Sequence, residues 1–408
     1  MNPHYLSYYN AILFYIVFFI ISCTEQPIDS DMELNLKIDT LSISQLSLSS
    51  YTVAPNLATN ERLYLGKKND VEIPFSFIKI GSSNYWSYYY DSTITIDSIQ
   101  FKLYFEDSSH SSESYPSLYY SPDSHFNENS STYLDYDEFS IMDWHDLGNP
   151  SVINNSDTNN AYTYSELIWQ IDTLAQILSD TVSDITRTFA IQFVNNDSNF
   201  IELFSEEATI EEKDPKVVLF YRKTNIISDD SVNIDTLTKV IYSTADLSII
   251  NPSNFDQVSN KLGICNGLGT RVLLKIPDTL ESMQFGSIIR KADLIIPIDS
   301  SNITGNFTII IDPIDSDSSI IIDSVITYAE DPFLGIGYPY RLSKEPDSLN
   351  YTVSLKNFLQ NIILGNTNNY GFKIVSDEKN DPFSSIWFLL NETSNQPRIK
   401  IIYTYNDE

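Results

Sequence analysis

PKVVLFY at Pro215–Tyr221 and PRIKIIY at Pro397–Tyr403 are two versions of one strand. Each opens on a proline, which has no N–H to give and therefore suits the first position of a strand. Each continues in the β-branched and aromatic residues that fit a half-buried pleated surface. Working outward, the chain repeats in the same order ahead of both. Ile38-Asp39-Thr40-Leu41 returns as Ile234-Asp235-Thr236-Leu237. ERLYLGKKNDVEIPFSFIKI from Glu61 is matched by NKLGICNGLGTRVLLKIP from Asn260, and TITIDSIQFKLYF from Thr93 by SIIRKADLIIPI from Ser287. Ordered self-similarity at a long period marks two copies of one unit.

Most of each copy reads as strand. IQFKLYF, TFAIQFV, KVVLFY, ADLIIPI, FTIIIDPI and RIKIIYTY are short, β-branched or aromatic, and bounded by Asn, Asp, Ser or Pro. One amphipathic helix is expected per copy. In the first, Leu167, Ile168, Ile171, Leu174, Ala175 and Leu178 recur at steps of three and four, behind a capping box of Thr163 and Glu166. In the second, Leu355, Phe358, Leu359, Ile362 and Ile363 form the stripe and Gly365 supplies the stop. The expected fold class is all-β: two tandem jelly-roll-like β-sandwich domains, each with one short α-helix. Domain 1 is placed at 36–223, a polar linker at 224–231 and domain 2 at 232–408. An insertion at about 106–162, rich in Ser, Asn, Asp and Tyr, is expected to form surface loops with a strand or two.

The chain has 408 residues, 42% of them hydrophobic, and a net charge of −31. That composition belongs to a folded chain. The charge repels nucleic acid and anionic lipid headgroups, so no nucleic-acid partner is expected. Only two cysteines occur, Cys23 and Cys265. Cys265, in LGICNGLG, is expected to be a buried, inert thiol.

Ala11–Ile21 is an unbroken apolar run, AILFYIVFFII. It is too short to span a bilayer, which takes about 20 residues, and suits a cleaved export signal. Ile20-Ile21-Ser22-Cys23 behind it resembles the lipobox of bacterial lipoproteins. The resemblance implies a signal peptide over 1–22 and a lipid-anchored Cys23, and so a place in the bacterial cell envelope, at the outer membrane or cell surface. Two or more acyl chains anchor stably where one does not. Residues 23–35 then read as an acidic tether, with Glu25, Asp29, Asp31 and Glu33. The leader departs from the pattern in carrying no Lys or Arg; the other reading of the run is an uncleaved anchor helix.

The repeated pieces resemble the DNRLRE-type, disaggregatase-related β-sandwich modules of secreted and surface proteins. Leu63-Tyr64-Leu65-Gly66 with Phe77-Ile78-Lys79-Ile80 carries the likeness in the first copy. In the second it is carried by Lys261-Leu262-Gly263 with Leu273-Leu274-Lys275-Ile276, and by Lys291-Ala292-Asp293-Leu294-Ile295-Ile296. VSLKNFLQNIILGNTNNYGFKIV (Val353–Val375) and FIELFSEEATIEEKDPKVVLFY (Phe200–Tyr221) resemble the closing half of the pattern. The family's leading Asn-Arg pair is intact in neither copy. The resemblance implies a carbohydrate-binding-like fold; its motifs are core and turn positions and imply no chemistry.

Site candidates are few. The four histidines are His4, His110, His125 and His145, and no nucleophile elbow or Ser-His-Asp order stands out. Carboxylates are so common here that a pair such as Glu206-Glu207 carries no signal. Asp143-Trp144-His145-Asp146 is the one cluster suited to metal ligation or acid–base work; the plainer reading is a polar loop pinned by Trp144. Tyr85, Trp86, Tyr88, Tyr89 and Tyr90 form an aromatic run on which sugar C–H faces would stack, or which packs on the sandwich. Tyr115, Tyr119, Tyr120 and Trp144 are weaker versions of that idea. Asp312, Asp315 and Asp317 offer Ca²⁺ hard oxygen ligands at near-alternate spacing, or else form a solvated turn. The expected function is a non-catalytic, lipid-anchored envelope protein with a binding or structural role, polysaccharide being the ligand class considered first. The alternative is an assembly or adhesion protein binding envelope proteins, and third comes a glycan-active enzyme or accessory module.

Overall fold

A computed structural model describes residues 36–406 except 70, 82–91, 111–113, 124, 156–163, 175–186, 195–198, 211, 229–230, 252–261, 279, 281–282, 284–285, 300–306, 317–326, 346, 378–380 and 390–395. The leader, Cys23, the tether and the Tyr85–Tyr90 run lie outside the described residues. Among the described residues no helix is long and apolar enough to cross a membrane.

The chain is an all-β sandwich protein. The first half supplies β1 (Leu36–Ile43), β2 (Ser47–Val53), β3 (Arg62–Lys68), β4 (Val71–Ile73), β5 (Phe75–Ile80), β6 (Ile94–His110), β7 (Ser117–Ser121), β8 (His145–Asp146), β9 (Ser151–Asn155), β10 (Tyr164–Gln170), β11 (Thr188–Gln192), β12 (Phe200–Phe204) and β13 (Lys216–Ser228). The second supplies β14 (Ser231–Ile249), β15 (Leu262–Cys265), β16 (Thr270–Lys275), β17 (Ile288–Pro297), β18 (Thr308–Pro313), β19 (Thr327–Tyr328), β20 (Tyr340–Ser343), β21 (Asn350–Ser354), β22 (Phe372–Ser376), β23 (Ser385–Phe388) and β24 (Arg398–Asn406). Helix α1 (Lys356–Ile363) lies between β21 and β22.

The repeat is written into the pairing. On one side the order is β14-β5-β11-β7-β8 in the first copy and β2-β16-β22-β18-β20 in the second. Facing these, β14-β13-β6-β10 matches β1-β24-β17-β21, and β3-β12 matches β15-β23. Period-two burial explains why these residues form strands. On β21, Tyr351 and Val353 point inward between exposed neighbours, and on β17 Ala292, Leu294 and Ile296 do the same beyond a bulge after Ile289.

The same pairing shows a strand exchange. β1, from the start of the chain, pairs with β24 at its end, from Leu36↔Asn406 to Ile43↔Ile399. β2 pairs with β16. Their counterpart in the second copy, β14, pairs instead with β13 and then, past a register shift at Ser243, with β5. Each copy therefore lends its opening strands to the other. The cores follow: Ile43, with Leu41, Leu46 and Leu48, packs among Ile264, Leu274, Leu294 and Ile401, whereas Ile241 packs among Phe101, Leu167, Phe189 and Val217. Burying one such aliphatic side chain stabilises by about 1.5–3 kcal/mol.

Three expectations are corrected. Residues 36–53 do not join the sheets of the 36–223 segment. Within 224–231, read as a linker, residues 224–228 belong to β13 and Ser231 to β14, whose pairing runs to Ser228↔Ser231. The helix expected around 167–178 begins as strand β10, in register with β6, and Glu166 pairs with Lys102 at 2.7 Å rather than closing a capping box. Leu167, Trp169 and Ile171 enter the first core at steps of two, while Leu167, Ile171 and Leu174 also satisfy steps of four and three. Only a 3₁₀ turn, Asp172–Leu174, follows before the description breaks off. In the second copy the helix forms as expected: Leu359 N–H donates to the Leu355 carbonyl, and Gly365, at φ +73°, ends the helix.

The 106–162 insertion is partly core. β7 is the counterpart of β18, and Leu118 and Tyr120 are fully buried. The loop after it lays Phe126, Tyr136, Phe139 and Trp144 over Phe75 and Phe77, with centroids 5.2–6.4 Å apart. These aromatic contacts cover the outer face of the β14-β5-β11 sheet.

Candidate functional site

Residues Ala54–Asn60 carry the chain from the second-copy sheet back to the first. They run along a cleft of about 610 Å³. Its walls come from this crossing segment, from Glu128 and Asn129 of the insertion, from Cys265–Arg271, and from Ala329–Asp331 with Val375–Asp377. Four carboxylates, Glu128, Glu330, Asp331 and Asp377, face it against one guanidinium, Arg271.

The walls are braced from behind. Asp331 is the hub: Arg271 forms an ion pair with it, Lys373 Nζ donates to Oδ2 at 3.0 Å, and the Tyr51 hydroxyl donates to Oδ1 at 3.2 Å. Burial, with the Asp331 charge beside it, pushes the Tyr51 hydroxyl far up, so it stays a donor. Arg341 pairs with Asp377 across the same sheet. Asn56 Nδ2 donates to the Glu128 carbonyl at 2.6 Å, fixing the insertion to the crossing segment. Gly269 has φ +67°, and a Cβ there would overlap the Val53 carbonyl oxygen, so the turn before β16 closes directly on the end of β2. Asn266 donates to the Asp381 carbonyl at 2.9 Å, while its Oδ1 has no protein donor. Burial pushes the Cys265 thiol up, which opposes thiolate chemistry at this wall.

At the first-copy rim, Glu128 meets Glu206 and Glu207, with carboxylate oxygens all within 4.8 Å of one another. Asp246 of β14, 1% exposed, lies against them: Glu206 N–H donates to its Oδ2 at 2.7 Å, and its own N–H donates to Glu128 Oε1 at 3.2 Å. Asp246 Oδ1 and Glu207 Oε2 are buried without a hydrogen-bond partner. Burial and mutual repulsion push Glu206 up to about 7 and hold Asp246 well above the usual carboxylate range.

The residues singled out from sequence fall elsewhere. The stacking run Tyr85, Trp86, Tyr88, Tyr89 and Tyr90 is outside the described residues. Tyr120 is buried in the first core, and Tyr119 packs under the insertion. Tyr115 stacks on His110 at 4.8 Å. Trp144 pins its loop against Phe77 and His125, and Asp143 and His145 stay exposed on either side of it. Of the acidic triplet, Asp317 lies outside the described residues. Asp312 packs against Gly335, its carboxyl raised by burial despite the nearby Lys373 charge, and Asp315 N–H donates to the Leu334 carbonyl. The structure brings Asp312 and Asp315 into no ligand group of three among the described residues. The cleft and its carboxylate rim carried no sequence signal, because their residues come from stretches far apart in the chain, from Val53 to Pro382.

No protein-family model, curated protein or solved structure matches this chain.

Proposed function

We propose that the chain is a non-catalytic binding protein of the bacterial cell envelope, held by a lipid on Cys23, and that the cleft at the strand crossing takes a neutral, polyhydroxylated ligand of the polysaccharide class. The cleft's lining is the observation that carries this reading. Carboxylate oxygens, held in place by Lys373 and Arg341 from outside the lining, and amide oxygens are acceptors for hydroxyl donors. A chain of net charge −31 disfavours an anionic ligand in the same place. The DNRLRE-type likeness points the same way.

A glycan array probed with the full chain in detergent tests it. Binding to neutral glycans is expected, with a loss of tenfold or more in Thr59→Trp, whose bulk fills the mouth of the cleft. Binding that Thr59→Trp leaves unchanged removes the cleft from the function, and no binding to any glycan sinks the reading.

A second reading is a protein partner in envelope assembly or adhesion. It is favoured by the far end of the β13–β14 hairpin, where Ile226, Ile227, Val232 and Ile234 are 57–75% exposed. Exposed apolar residues on an unpaired strand edge suit strand addition by another chain.

A further inference from the structure

We propose that Glu128, Glu206, Glu207 and Asp246 bind one divalent cation of the hard, oxygen-seeking class, Ca²⁺ foremost, and that this ion clasps the exchanged strand β14 to the first-copy sandwich. Two independent observations converge. The first is spacing. Ca²⁺ holds oxygens at about 2.3–2.6 Å, so ligands on opposite sides stand about 5 Å apart. The carboxylate oxygens of Glu128, Glu206 and Glu207 lie within 4.8 Å of one another. The second is Asp246. It is 1% exposed, its Oδ2 is fixed by the Glu206 N–H at 2.7 Å, and its Oδ1 has no partner. A buried carboxylate oxygen without a donor is costly and calls for a proton or a metal. Glu207 Oε2 is in the same condition.

Among the described residues, no cation acts on three of the four. The charges acting on Glu206, Glu207 and Asp246 are all carboxylates, Asp214 among them. Lys79 of β5, on which the Glu128 charge acts, is engaged by Phe126: it sits 4.3 Å over that ring and donates to that residue's carbonyl. Ligand origin gives the ion its structural meaning. Glu128 comes from the insertion, Glu206 and Glu207 from the turn after β12, and Asp246 from the strand contributed by the second copy. This site is independent of what occupies the cleft.

Isothermal titration of the full chain in detergent with CaCl₂, after stripping with EDTA, is the test. One Ca²⁺ per chain is expected, with a Kd between about 10⁻⁶ and 10⁻³ M, and a higher melting temperature with Ca²⁺ than with EDTA. Asp246→Asn and Glu207→Gln should each weaken binding tenfold or more. As each removes a buried charge, neither should lower the melting temperature in EDTA, which separates loss of the site from loss of the fold. Asp312→Asn should bind as wild type. No Ca²⁺ binding by the wild type overturns the proposal. So does binding that survives the double variant Asp246→Asn/Glu207→Gln, or that falls only with Asp312→Asn.

Discussion

Glu206 and Glu207 were invisible as a site because a chain with 55 Asp and Glu residues offers many such pairs. What singles them out is the burial of Asp246, forty residues further along, and the return of Glu128 from the insertion. By contrast Asp312, Asp315 and Asp317 looked like a site because their spacing is local. The fold turns Asp312 toward Gly335 and gives it to the Lys373 and Asp331 network. Spacing along the chain reports ligation only when a single loop supplies all the ligands. His125 is a residue whose burial can be read out by pH. Its Nε2 lies 2.6 Å from Ser121 Oγ, and its ring packs on Trp144 at 4.4 Å. Burial, assisted by Lys79 and opposed by Asp123, lowers its affinity for a proton below the ordinary value of 6.5. A folded pKa below the unfolded one means the neutral imidazole's contribution is complete above 6.5 and is lost as the pH falls through that value. Urea titrations of wild type and His125→Gln should therefore converge as the pH is lowered from 7 toward 5. A stability difference that does not change over that range would show that the imidazole is not protected.

At the scale of elements, the strands were legible and their partners were not. Alternation holds in RIKIIY, where Ile399 and Ile401 are buried between exposed neighbours, whereas FSFIKI is buried on both faces and Ile38 and Ile234 of the two IDTL stretches stay exposed. It could not tell which copy's sheet would receive each opening strand, because both copies present the same chemistry to it. Helix and strand were confused at Leu167–Ile171 for a related reason: Leu167, Trp169 and Ile171 fit a period of two, Leu167, Ile171 and Leu174 fit steps of four and three, and the register against β6 decides. The exchange makes a directional prediction. Leu41→Asp on β1 places a charge against the second core. In hydrogen exchange it should expose amides of 398–406 and 288–297, and leave those of 75–80 and 188–192 as protected as in wild type. Faster exchange in β5 and β11 with no change in β24 would contradict the pairing. Ile43→Ala, from a position 4% exposed, should cost about 2–4 kcal/mol in the same way.

For the whole molecule, the two copies are not beads on a string. The order of strands within the sheets repeats along the chain, as the order of sequence motifs does. The joint between the copies was not legible, since KTNIISDDS is as polar as any linker. In the structure β13 and β14 stay paired through this stretch to Ser228↔Ser231, with one register shift after Ile226. Around the cleft the copies also share aromatic contacts: Phe383 of the second copy packs edge-on against Tyr64 at 5.3 Å and Phe200 at 5.0 Å. Cutting the gene between 228 and 231 should therefore give two fragments that are insoluble or unfolded alone. Co-expressed, they should reassemble into a stoichiometric pair with one cooperative thermal transition. Two soluble, independently melting fragments would show that the exchange is dispensable.

The exchange also decides how the molecule would bear a pull. Under the proposed attachment at Cys23, tension would enter the described fold at Leu36, along the axis of β1. That strand lies antiparallel to β24 over eight residue pairs, from Leu36↔Asn406 to Ile43↔Ile399. Force along the strand loads all of those hydrogen bonds at once, in shear, rather than peeling them one at a time. The first and last strands of the chain thus act as a lap joint, and the rate at which that joint slips sets how long an anchored molecule keeps its shape under load.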